Sequence, residues 1–172
     1  TNNITNNSHN KTFNLQFFLN EQCKDALNMS DFISSIQLQL SDLEETGRLG
    51  YVDGISKVLI ENLNTLNVHS RPLHCCDSKR EILYIRDNDQ WIKDNDNKDT
   101  MRSMIKQVAH KNIKNITEWV RTHPDCVHSE SKQNDKYLRI VSNSMSGSSE
   151  EEQKNNINKI ISKVAKEVII SK

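Results

Sequence analysis

The chain has 172 residues, 23 of them acidic and 23 basic, and a formal net charge of zero, so it has no global field to draw in nucleic acid, an acidic membrane or an anionic substrate. Its length suits one domain with a real core, or a small domain plus an appendage, and argues against two independent enzyme domains; hydrophobic residues make up only 34% of it, low for a compact monomer, so burial is expected in a few helices with self-association to complete it. No apolar run approaches the roughly 18 residues a bilayer span requires, and no apolar leader marks secretion, so a soluble intracellular protein with reduced cysteines is expected.

In chain order, Thr1 to Lys11 is Asn-rich and of low complexity, and reads as the end of a linker. Phe13, Leu15 and Phe17 alternate with Asn14 and Gln16, which predicts a short strand. Asn20 and Ser30 suit helix N-caps. Met29, Ile33, Ile36, Leu40 and Leu43 then follow at spacings of four and three, a heptad-like stripe ended by Gly47 and Gly50. Tyr51 to Leu66 repeats the period through Val52, Ile55, Leu59 and Leu63, predicting a helical hairpin. Beyond Pro72 the pattern changes to short strands at Leu73 to Cys76, Ile82 to Arg86 and Gln90 to Lys93, a meander with Trp91 as its anchor.

Asp94 to Asp99 reads as a charged loop. Met101, Met104, Ile105, Val108, Ala109, Ile116, Trp119 and Val120 trace one long amphipathic helix closed by Pro124. Tyr137 to Val141 is apolar but carries no clear period, and Ser142 to Ser149 reads as a flexible joint. Ser149 and Glu152 form a capping-box pattern ahead of a terminal helix with Ile157, Ile160, Ile161, Val164, Ala165 and Val168 on one face. The expected class is therefore α+β, mainly helical: a linker over 1–11, a domain over 12–141, and a joint with a C-terminal docking helix over 142–172. Residues Ile33, Ile36, Leu40, Leu43, Ile157, Ile161, Val164 and Val168 are the candidates for helix packing or for contact between copies of the chain.

Chemistry-bearing residues concentrate in Arg71 to Trp91. Zinc would accept His69, His74, Cys75 and Cys76, or His123, Cys126 and His128, but neither set has the two-residue gap with which two cysteines grip one ion. Cys75 and Cys76 also point to opposite faces if they lie in a strand. A thiol nucleophile needs an aligned base and an oxyanion-building turn, and adjacent His74 and Cys75 diverge. The acidic run from Asp87 to Asp99 lacks the Gly and Glu of a calcium loop. No catalytic residues, metal, cofactor or small-molecule substrate are therefore expected. What remains is Lys79 and Arg80 at a hairpin tip with Arg86 on its second strand, a placement that suits phosphate contact.

Three strings, FNLQFFLNEQCKDALNMSDFI from Phe13, QLQLSDLEETGRLGYVDGISKVLIENLNTL from Gln37 and RPLHCCDSKREILYIRDNDQW from Arg71, resemble a domain recurrent in proteins of giant DNA viruses. The resemblance runs from Thr12 and weakens after about Thr122. In that family the domain follows a short two-Cys, two-His zinc finger and an Asn-rich linker, and this sequence contains no copy of the finger. The resemblance implies a viral origin and an upstream finger module; taken with the heptad-like stripe from Met29 to Leu43, the terminal helix and the modest apolar content, it leads to the expectation of a non-enzymatic interaction domain that forms homo-oligomers and positions that finger on nucleic acid, in the host cytoplasm, a viral factory or the virion. The alternatives are direct nucleic-acid binding through the hairpin and a structural role in a virion or scaffold.

Overall fold

The structure, a computed structural model, describes residues 12–172, so the expected linker at Thr1 to Lys11 lies outside the described residues. Helices pack on one another and on a three-stranded antiparallel sheet of order β1-β2-β3, the α+β, mainly helical architecture that the residue pattern predicts.

The predicted first strand is a helix. Asn14 accepts a hydrogen bond from Phe17 N at 3.1 Å, opening α1 (Leu15–Phe17), which widens into a π-helical turn over Phe18–Gln22 closed by Cys23 N on Phe18 O. The buried residues are Phe18, Leu19 and Cys23, while Phe17 faces out at 54% exposure. The Phe13/Leu15/Phe17 alternation thus competed with a helical set from Phe18 onward, and the helical set buries more. Asn20 sits inside this turn, bonded to Gln16, and caps nothing.

The heptad-like stripe does not form one helix. It divides into α2 (Met29–Ser35) and α3 (Leu40–Leu49). Lys111 Nζ donates to Ile33 O and Ile36 O at 2.7 and 2.8 Å and Asn115 Nδ2 to Leu38 O at 3.3 Å, so distant side chains satisfy the carbonyls that a continuous helix would have used internally. Asp42 accepts from Gln39 N at 2.8 Å and starts the second segment. Ser30 is also not an N-cap: α2 begins at Met29, and the Ser30 hydroxyl donates to Asp87 Oδ1.

α3 and α4 (Tyr51–Asn64) make the expected hairpin, joined by Gly50 alone, whose φ of 94° lies in the left-handed region that favours glycine. The two helices approach closely: a Cβ at Gly54 would lie 2.7 Å from Thr46 Oγ1. The strands follow as β1 (Leu73–Asp77), β2 (Ile82–Asp87) and β3 (Gln90–Lys93), with Cys75 opposite Leu83, Ile85 opposite Ile92 and Arg86 opposite Trp91.

The predicted long helix is divided at Asn115 into α5 (Asp99–Lys114) and α6 (Ile116–Thr122). The charged loop before it does structural work: buried Asp94 accepts from Thr100 N and Met101 N and caps α5. After Pro124, which opens a short 3-10 turn, comes α7 (Lys132–Ser144), where the pattern was ambiguous because Ile140 is its only buried apolar residue. In α8 (Glu150–Glu167), Ser149 accepts from Glu152 N, but the Glu152 carboxylate reaches back to Ser148 rather than to Ser149.

Residues of α2, α4, β1, β2, α5 and α8 share one core, and Ile157, Ile161, Val164 and Val168 are part of it with Ile33 and Ile36. The terminal helix is thus built into the domain and closes its core. Leu43, Trp119, Cys126 and Ile140 form a satellite core between α3, α6 and α7, with half-buried Leu40 against it. Past α8 the chain runs on beside β1: Cys75 N donates to Val168 O and Ile170 N to Cys75 O, both at 2.9 Å. No helix among the described residues is long and apolar enough to cross a membrane.

Candidate nucleic-acid interface

The meander presents two faces of different chemistry. Leu73, Cys75, Leu83 and Ile85 enter the main core. Cys76, Tyr84 and Trp91 lie on the opposite face with His74, under Phe18, Leu19, Cys23 and Ala26 of the N-terminal segment. The two adjacent cysteines thus part to opposite faces, as strand geometry requires.

On the second face His74 is 1% exposed, edge-on to Phe18 and beside Trp91, with Nε2 3.7 Å from Cys23 Sγ. Burial holds its imidazole down to about 4, aided by the nearby Arg71 and His69 charges, and burial pushes the Cys23 thiol up to about 11. At neutral pH the pair is an uncharged imidazole and a thiol, without the thiolate that nucleophilic chemistry uses. The other His/Cys set is elsewhere: Cys126 is buried in the satellite core, and His123 stacks on Trp119 at 4.2 Å. Among the described residues no three His, Cys, Asp or Glu side chains are grouped to hold a metal ion.

The three hairpin cations part company. Lys79 and Arg80 are exposed at the tip, where Asp77 Oδ1 accepts both of their backbone N–H groups and fixes the turn. The Arg80 side chain is 80% exposed and reaches Asp77 only at 3.9 Å, a contact worth little in water. Arg86 is different, and the expectation that it contacts nucleic acid is corrected here. Its side chain is 11% exposed and its guanidinium donates to Lys24 O at 2.7 Å, to Ala26 O and to Asn28 Oδ1. It lies on the face that the N-terminal segment covers, and its two Nη groups clamp that segment to the sheet.

A second basic array escaped the sequence reading. Arg102, Lys106 and His110 recur every fourth residue and line one side of α5. The period of four was visible, but it ran alongside the apolar face by which the helix was recognised. Arg102 is fixed by donating to Asn97 O at 2.7 Å and to Asn158 Oδ1 on α8 at 2.6 Å. One helical turn farther along α8, Ser162 donates to Glu81 Oε2 at 2.7 Å, tying the hairpin turn to the same helix.

The expected assembly residues are largely taken up inside one chain. Ile33, Ile36, Leu43, Ile157, Ile161, Val164 and Val168 are buried, and Leu40 is half-buried against the satellite core. Comparison of the chain with protein-family models, with curated proteins and with solved structures finds no match.

Proposed function

We propose that this domain is a non-enzymatic viral interaction module that contacts nucleic acid directly through the Lys79–Arg80 hairpin tip and so assists an upstream zinc finger. The observation that carries the reading is the exposed Lys79–Arg80 pair on a turn fixed by Asp77 and braced on α8 through Glu81. A turn whose backbone is already fixed lowers the ordering cost of binding. The resemblance of Thr12 onward to giant-virus proteins with an upstream finger supports the same reading, with a tether that raises the local concentration of one module for the other. Self-association through the helix stripes lacks comparable support, since those residues are occupied within the fold.

Binding of duplex DNA by this chain, followed as a function of salt, tests the proposal. Lys79→Ala/Arg80→Ala is expected to weaken binding several-fold and to lower the slope of log affinity against log salt by about 2, since each lost phosphate contact removes roughly 0.9. An unchanged affinity and slope would overturn it.

A further inference from the structure

The exposed side of α5 and its junction with α8 form a second charged surface that the hairpin does not explain. Two open hollows of about 540 and 410 Å³ share Asn97, Arg102 and Lys106, so they form one continuous trough. His110 lies along the α5 part and Lys154 along the α8 part. Arg102, Lys106 and His110 stand on successive turns, about 6 Å apart. Arg102 is held in place by Asn97 O and Asn158, so this cation is already positioned before any ligand arrives.

The acids lining the two hollows are Asp99 and Glu150, and Glu81 stands where the row meets the hairpin, its Oε2 accepting from Ser162. Asp99 is occupied by Asn95 and Asn97, whose amides donate to it at 2.8 and 2.6 Å and hold its carboxyl below the usual range. Against the two acids of the hollows stand Arg102, Lys106 and Lys154, with His110 beside them. The trough is lined with amide and hydroxyl donors and with no Phe, Tyr or Trp. Single-strand sites rely on aromatic stacking platforms, whereas a stiff phosphate backbone needs only spaced cations and donors.

Position connects the trough to the hairpin. Lys154, Asn158 and Ser162 succeed one another at one-turn intervals on α8. Asn158 meets Arg102 and Ser162 meets Glu81. A ligand lying along this row passes from Lys106 and Lys154 to the tip that carries Lys79 and Arg80.

We infer that the α5–α8 trough is a track for the phosphate backbone of duplex DNA, continuous with the hairpin tip across the Lys154–Asn158–Ser162 row of α8. This deepens the function proposed above and rests on it for the nature of the ligand, but it uses separate residues. The test is fluorescence anisotropy with a labelled 20-base-pair duplex over a salt series, using the whole chain. Lys106 and Lys154 are exposed and carry no described hydrogen bond, so Lys106→Gln/Lys154→Gln is expected to fold as the parent does. It should lose roughly tenfold in affinity and about 2 in salt slope, with both restored in Lys106→Arg/Lys154→Arg.

If this pair leaves affinity and slope unchanged while Lys79→Ala/Arg80→Ala reduces them, the track is overturned and the hairpin reading stands. The reverse pattern supports the track and removes the hairpin. Absence of any salt-sensitive binding by the parent chain overturns both. Tighter binding of the separated single strand than of the duplex overturns the assignment to a duplex.

Discussion

The two faces of the meander are made by the same strands yet are held by different forces. Leu73, Cys75, Leu83 and Ile85 bury aliphatic and thiol surface against helices, and the polar contact among them is the Cys75 thiol donating to Asp77 O at 3.3 Å. The opposite face stacks His74, Tyr84 and Trp91 under the N-terminal segment, and its edges are secured by hydrogen bonds: Trp91 Nε1 to Cys23 O at 3.2 Å, Asp89 N to Asn28 Oδ1 at 2.9 Å, and the Arg86 guanidinium to Lys24 and Ala26. Apolar packing is non-directional and tolerant of pH. A face closed by polar contacts and a buried imidazole is neither, so the two should respond differently to the same perturbations.

The largest expected effect is on the first face. Leu83 is 1% exposed, and Leu83→Ala should lower unfolding free energy by about 4 kcal/mol through lost burial and an unfilled cavity, measured by urea denaturation. A cost below that of Arg86→Met would invert the assignment of roles.

The second prediction concerns pH. The folded His74 imidazole titrates near 4, below its ordinary value of 6.5, so on acidification the unfolded chain takes up this proton first. The His74 contribution to stability is therefore complete above pH 6.5 and is lost as pH falls towards 4, on the order of 3 kcal/mol in all. Thermal midpoints between pH 7 and 4 should fall more steeply for the parent chain than for His74→Gln. Parallel curves would remove the imidazole from the account of this face.

The smallest effect, about 2 kcal/mol, is expected for Arg86→Met, which strips donors from carbonyls that are only partly shielded from water. Its signature is location: amide hydrogen exchange should accelerate over residues 18–28 and stay unchanged in α8. Uniform acceleration would show that the clamp supports the whole fold rather than one face.

The same contrast explains what could be read from the residues. The meander, α4 and α8 were legible because their signals are local: turn residues at Asp77 and Asp87 to Asp89, a sustained apolar period, and acidic residues at a helix start. The break between α2 and α3 was not, since Lys111 Nζ caps carbonyls more than 70 positions away. Nothing in the neighbourhood of Ile36 announces that partner. Arg86 was misjudged for the same reason. Its register on the second face could be anticipated, but not that the 24–28 segment would lie across it. For the candidate interface, the tip was legible and the trough was not, because the trough exists only when Arg102 and Lys154 are brought together from two helices.

The pairing of Cys75 with Val168 and Ile170 has a consequence for the order of folding. β1 finds one neighbour within about ten residues, in β2, and the other only after more than 90, beyond α8. During synthesis, therefore, the hairpin can close early while the outer edge of β1 keeps bare amide and carbonyl groups until residue 170 has left the ribosome. Such an edge is a template for other extended chains. Val168 and Ile170, just past α8, cover it at Cys75, so closure of this edge coincides with docking of α8 into the core.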